Sequence, residues 1–318
     1  MIRFLRPGGV TIESVDDPDA AWRLPADAVW IDLVRPSIEE EHLVENQLGL
    51  LLPTREDMVE IEASSRVYHE DGASFMTALL LINSASERPT TDPVTFVLTG
   101  ERLITIRYAD PTSFELFESQ LDRTPCIDGL QIFLGLLETI VDRAADILES
   151  AGSEVEAISH EVFDGKPQNG FRKVLKRLGR AQSMNGKIRE SLVSLTRILG
   201  FSQLAPQVAE DQGVRERLRG LARDVASITD HATYQAGQGT FLLDAALGQI
   251  NIEQNDIIKI FSVASVAFLP PTLIASIYGM NFHHMPELDW PWGYPLAVAA
   301  MVLSAALPLW WFKRRGWL

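Results

Sequence analysis

The sequence predicts an α/β cytoplasmic N-terminal domain followed by long stalk helices and two C-terminal transmembrane helices. Three observations carry this. Short apolar runs bounded by turn residues crowd the chain up to residue 112, long charged amphipathic stretches replace them, and two uncharged segments dominate the chain beyond Lys259. With 318 residues the chain is too long for one core, and more than one module is expected.

The runs IRFL (2–5), VWIDLV (29–34), FMTALLLI (75–82), VTFVL (94–98) and LITIR (103–107) fit short strands. SIEEEHLVENQLG (37–49) fits a helix capped by Ser37. Residues 1–112 therefore read as a small mixed sheet with helices. Residues 113–206 read as a cytoplasmic helical region, broken at DGKPQNG (164–170) and around Pro206.

Residues 207–278 read as one stalk helix running into a first span, since no proline occurs between Gln207 and Leu269. Val214, Leu218, Leu221, Val225, Ile228 and Ala232 recur in steps of three and four, a pattern that fits a coiled-coil-like seam or an amphipathic helix packed on its own domain. The glycines at 220, 237, 239 and 248 count against an isolated stalk, each costing up to ~1 kcal/mol in a helix interior.

From Ile260 to Tyr278 the chain carries no charge over a length of roughly 28 Å, close to the thickness of a bilayer's hydrocarbon layer. Tyr294 to Phe312 (294–312) is a second such span, with Trp310 and Trp311 near its end. The loop 279–293 between them is short, so the spans form a hairpin. Lys259 precedes the first span and the basic tail 313–318 follows the second, whereas the loop has neither Lys nor Arg. By the positive-inside rule both termini are expected in the cytoplasm of a multi-pass protein of the cell (inner) membrane, with the loop outside. The N-terminal stretch MIRFLRPGGVTIESVDD has no apolar run of signal-peptide length, in keeping with that side.

Acidic residues outnumber basic ones by 43 to 28, a net charge of −15, so cations rather than nucleic acid are the natural partners. A single cysteine, Cys126, allows no internal disulfide. No phosphate-binding loop, nucleophile elbow or His-Glu metal motif occurs in the soluble part, so neither an enzyme nor an organic cofactor is expected.

At the outer end of the first span stand Tyr278, Gly279, Met280 and Asn281, followed by MPEL, then WGYP, then a span ending in KRRGWL. WIDLVRPSIEEE (30–41), LPTREDMVEIEASSRVYHEDG (52–72) and the long segment 241–281 add to the pattern. Together these resemble the CorA family of divalent-cation channels, whose signature is Gly-Met-Asn between two C-terminal helices. The resemblance implies a homopentamer in which the first span of every subunit lines a pore. It also implies passive transport of hydrated Mg2+, with Co2+ and Ni2+ as further candidate ions, in the direction of uptake. A Zn2+ transporter of the related ZntB-like branch is the alternative, against which Met280 speaks. A membrane-anchored sensor would need no polar stripe along its first span.

Magnesium gives up its water reluctantly, so a filter that moves it should hold the hydrated ion. Gly279, Met280 and Asn281 are the expected filter, the Asn281 amide presenting a neutral oxygen to water hydrogens; the other reading makes Asn281 a helix cap and Gly279 a turn. Asn255, Ile258, Phe261, Ser265, Leu269, Thr272 and Ser276 follow one another at helical spacing and are expected to line and gate the pore. By the resemblance Asn255 and Thr272 match pore positions and Ile258, Phe261 and Leu269 an apolar constriction, whereas packing between helices also suits the small residues. Pro270 and Pro271 would leave the carbonyls of Val266 and Ala267 without helical donors.

Glu287 and Asp289 in the outer loop would attract cations or simply solvate it. His283 and His284 would favour Ni2+, Co2+ or Zn2+ if they bound metal. Lastly, the resemblance implies a regulatory Mg2+ held between Glu70 and Asp71 of one subunit and Asp244 of its neighbour, where the bland reading is three solvated surface acids.

Overall fold

The structure is a computed structural model that describes all residues except 17, 19, 20, 61–65, 85, 87, 101, 124, 125, 127, 165–169, 282, 284, 288, 317 and 318, and the side chain at 210. Two compact units divide the chain, Met1–Leu243 and Asp244–Leu318.

In the first unit seven strands form one sheet: β1 Ile2–Leu5, β2 Glu13–Val15, β3 Trp30–Val34, β4 Val67–Glu70, β5 Ala73–Ile82, β6 Thr90–Thr99 and β7 Arg102–Arg107. Their order is β2-β1-β3-β7-β6-β5-β4, with β3 and β7 parallel and every other pair antiparallel. Each of the five apolar runs forms a strand. The two strands without an apolar run, β2 and β4, lie at the edges and are mostly exposed or half-buried, so burial never imposed a hydrophobic pattern on them.

Helix α1 (Ile38–Leu48) starts at a capping box: Glu40 N donates to Ser37 Oγ at 3.2 Å and Ser37 N donates to Glu40 Oε2 at 2.9 Å. Gly49 closes it in the left-handed region, φ 66°. A second capping box, Thr54 with Asp57, starts the short α2 (Arg55–Val59). Val44 of α1 and Met58 of α2 cover one sheet face, where Ile31, Leu33, Phe75, Val97, Ile104 and Ile106 are buried.

The opposite face, with Trp30, Met76, Leu80 and Phe96, is covered by α3 (Thr112–Glu118), α4 (Gly129–Phe163) and α5 (Phe171–Ser202). Cover on both faces explains why the central strands read as continuous apolar runs rather than alternating ones. At the start of α4 a Cβ on Gly129 would collide with the β7 backbone at Arg102 and Leu103, so this residue has to be glycine for the helix to sit so close.

After α6 (Pro206–Glu210) comes α7, Gln212–Tyr278, a helix of 67 residues. Val214, Leu218, Leu221, Val225 and Ala232 are buried in the same core as α4 and α5, with Ile228 packed beside them. The periodic seam is thus an amphipathic face packed on its own unit. Asn185 Nδ2 donates to Ala232 O and Gln182 Nε2 to Ala236 O, both at 2.9 Å, and a Cβ on Gly239 would collide with the Gln182 amide. That close approach offsets the helix cost of one glycine.

An ion network ties the sheet together. Asp32 on β3 and Arg107 on β7 are 1% and 4% exposed, and Arg107 Nη2 donates to Asp32 Oδ2 at 2.9 Å. Thr105 Oγ1 donates to Asp32 Oδ1 at 2.7 Å and Arg3 Nη1 to Oδ2 at 3.2 Å. Burial pulls the Arg107 pKa down, yet the charges and hydrogen bonds of Asp32 and Asp110 more than offset it, and the guanidinium is held above its usual range. Removing Asp32 leaves the buried Arg107 with Asp110 as its one remaining carboxylate. Asp32→Ala is expected to cost about 3–5 kcal/mol, a fall in melting temperature on the order of 10 °C. Asp32→Ala with Arg107→Met should recover part of it, and an unchanged melting temperature in the single variant would contradict the assignment.

Candidate conduction pathway and ion sites

The second unit holds the end of α7 and helix α8, Gly293–Arg314. Both are long and apolar enough to cross a membrane, and only 6% of either apolar stretch is buried, so neither is the hidden core helix of a globular domain. α7 continues through Pro270 and Pro271.

Burial divides α7 into two faces. Val263 is buried and Ala264, Ala267, Pro270, Pro271 and Ile274 are half-buried on one side, with Ser262 half-buried at the edge of the other; on α8 Ala297 and Phe312 are buried. At about 100° per residue, Ile258, Phe261, Ser265, Leu269, Thr272 and Ser276 fall within an arc of about 80° centred about 200° from Val263. All six are exposed, Phe261 and Leu269 by 69% and 67%. The stripe therefore occupies the side of α7 away from its buried side. Asn255 is also exposed but drifts about 80° from the centre of the arc, because two successive steps of three residues fall short of a helical turn.

Two hydroxyls on this stripe are turned to their own backbone. Ser265 Oγ donates to Phe261 O at 2.8 Å and Thr272 Oγ1 to Phe268 O at 2.7 Å, the i−4 pattern. Their protons are engaged, so what they present outward is oxygen lone pairs. Neither bond serves the carbonyl of Val266 or Ala267.

α7 ends at Tyr278. Gly279 N still donates to Ala275 O at 2.9 Å and Met280 N to Ile277 O at 3.3 Å, and Asn281 stands exposed just beyond the helix. Gly279 does not adopt positive φ, so the expected turn role does not explain it. Its lack of a side chain matters for another reason: a Cβ would lie 3.1 Å from the Ala275 carbonyl.

Glu287 and Asp289 are exposed, as is His283; His284 lies outside the described residues. A close approach not foreseen from the sequence fixes this loop, since a Cβ on Gly293 would collide with the Glu287 carbonyl. At the other end of the spans Lys259 Nζ is paired with Asp256 at 2.9 Å, while Arg314 and Arg315 lie over the Trp310 and Trp311 rings at 5.6 and 4.9 Å.

Glu70 and Asp71 are exposed at the β4–β5 hairpin and Asp244 is exposed on α7. Glu70 pairs with Ala73, leaving a two-residue turn of Asp71 (φ 49°) and Gly72 (φ 80°), the positive-φ pair that a type I′ turn requires. Asp71 thus has a local structural role. Among the described residues no group of three or more His, Cys, Asp or Glu side chains is gathered that would hold a metal ion.

Residues 25–314 match the family model described as CorA-like Mg2+ transporter protein. The chain belongs to the CorA-like Mg2+ transporter family. Its relatives in this family include the magnesium transport protein CorA of Sodalis glossinidius (strain morsitans), 37% identical over 294 residues and 92% of each chain. The magnesium transport protein CorA of Escherichia coli (strain K12) is 37% identical over 293 residues, again covering 92% of both. The fold matches the complete structure of the CorA magnesium transporter of Methanocaldococcus jannaschii, with a TM-score of 0.75 and 20% identity over 100% of this chain and 99% of that one.

Proposed function

We propose that this chain is one subunit of a homopentameric channel carrying hydrated Mg2+ passively into the cell. The observation that carries the reading is the exposed stripe on α7, opposite that helix's buried side and leading toward Asn281. Two spans cannot enclose an aqueous path, so copies have to surround one, with the stripe inward and α8 outward. Family relatives named as magnesium transport proteins support the choice of ion.

The chemistry of the stripe suits a hydrated cation. Mg2+ keeps its waters, whose hydrogens seek acceptors. Ser265 and Thr272 have their protons committed to the backbone and offer lone pairs; Asn281 offers a neutral amide oxygen, which binds weakly enough to release. Rings of Ile258, Phe261 and Leu269 form an apolar constriction that closes by dewetting. Glu287 and Asp289, in a loop without Lys or Arg, raise the local concentration of cations at the outer mouth. Co2+ and Ni2+ share the charge and octahedral hydration of Mg2+ and compete for the same passage.

Asn281→Ala is expected to abolish Mg2+ influx into proteoliposomes while the oligomer still assembles, because only the amide is lost. Influx at the unmodified rate would remove the filter assignment.

Gating follows from the acidic residues. Glu70 and Asp71 of one subunit face Asp244 of the next, and internal Mg2+ bound between them through water relieves their repulsion and favours the closed ring. Testing this requires a variant that spares the hairpin, so Asp71→Asn is used, as asparagine tolerates positive φ where alanine does not. The pair Asp71→Asn and Asp244→Asn should keep the channel conducting at internal Mg2+ concentrations that close the unmodified protein. Closure at the same concentration would rule out this sensor and leave the pore assignment standing.

A further inference from the structure

A cavity of about 750 Å³ lies between α4 and α7 within the Met1–Leu243 unit, and the channel reading above assigns it nothing. Its walls hold neither lysine nor arginine and are rich in acceptors. Glu149 and Glu156 enter from α4, and Tyr234 and Gln235 from α7.

Gln235 is the unusual member. It is 5% exposed; its Nε2 donates to the Leu148 carbonyl at 3.3 Å and meets His231 Nε2 at 3.0 Å, while its Oε1 is enclosed without a hydrogen-bond partner. A buried amide oxygen without a donor is costly, and a ligand N–H would satisfy it. Gly152 makes room for it, since a Cβ there would collide with the Gln235 amide.

Spacing and shape narrow the ligand. Glu149 and Glu156 are seven residues apart on one face of α4, about 10 Å along the axis. Tyr234 and Phe241, likewise seven apart on α7, bring exposed rings to the same cavity. Between these polar ends Leu148, Val155 and Leu242 supply apolar wall beside Gln235. A hydrated metal ion would leave that apolar wall and both rings unused. A flexible chain with a positive charge at each end uses all of it, through carboxylate pairing, cation–π contact and buried methylenes.

We propose that this cavity binds a linear aliphatic polyamine, with one terminal ammonium at Glu149, the other at Glu156, and an N–H donated to Gln235 Oε1. The test is calorimetric titration of the purified full-length protein with spermidine in magnesium-free buffer. One spermidine is expected per chain. Hexylamine, with a single ammonium, should bind about tenfold or more weakly, and so should spermidine to the Glu149→Gln, Glu156→Gln double variant. Both glutamates are exposed on a helix, so glutamine keeps the fold. Gln235→Leu should weaken spermidine severalfold and leave hexylamine unchanged.

Equal binding of spermidine to the unmodified protein and the double variant would overturn the proposal, reducing it to general attraction by an acidic surface. Mg2+ displacing spermidine at equal concentration, with that Mg2+ binding itself lost in the double variant, would also overturn it and make a divalent cation the occupant.

Discussion

Hydrocarbon offers a polar side chain no partner, so Ser265, Thr272 and Ser276 along one face of a membrane helix need water, protein or their own backbone as partners. Most of the second unit follows from this constraint. The side of α7 that carries Val263, Ala267, Pro270 and Ile274 is buried or half-buried, which leaves the hydroxyl-bearing side for something outside the single chain. The chain supplies a second membrane helix, α8. The loop joining them has to be short and firmly held, and Gly293 lets the Glu287 carbonyl sit against the start of α8.

Both hydroxyls that bond to the backbone show how such a face is made tolerable. A serine or threonine that donates to the i−4 carbonyl hides its proton without a partner from another helix. The same bond leaves lone pairs pointing outward, which is the polarity that the hydrogens of a hydrated cation meet. On the proposed pore reading, one arrangement serves insertion and conduction together.

Much of this was legible in the sequence because strong constraints leave strong patterns. Uncharged stretches of membrane length, the Ser37 capping box and the apolar runs of the central strands all reflect burial or backbone satisfaction. The edge strands β2 and β4 left no such trace, since their exposed faces accept almost any residue. Asp71 and Gly72 were legible in a different way: an Asp-Gly pair between two strands signals a type I′ turn, and attention to its charge alone misses that role. Close approaches such as Gly129 to β7 and Gly293 to Glu287 cannot be read from one sequence, because a glycine does not announce which neighbour comes near. The seam from Val214 to Ala232 was periodic either way, and only packing shows that it closes the core of its own unit.

The central claim is that one face of α7 borders water inside an assembled ring, and cysteine accessibility tests it most directly. Cys126 is 4% exposed and would first be replaced by alanine, and single cysteines then placed along 258–276. In membranes, a charged water-soluble thiol reagent should modify cysteines at 258, 265, 269, 272 and 276 and block Mg2+ flux, while those at 263, 267 and 274 stay unmodified. Uniform protection, or modification on the Val263 side instead, would contradict the account.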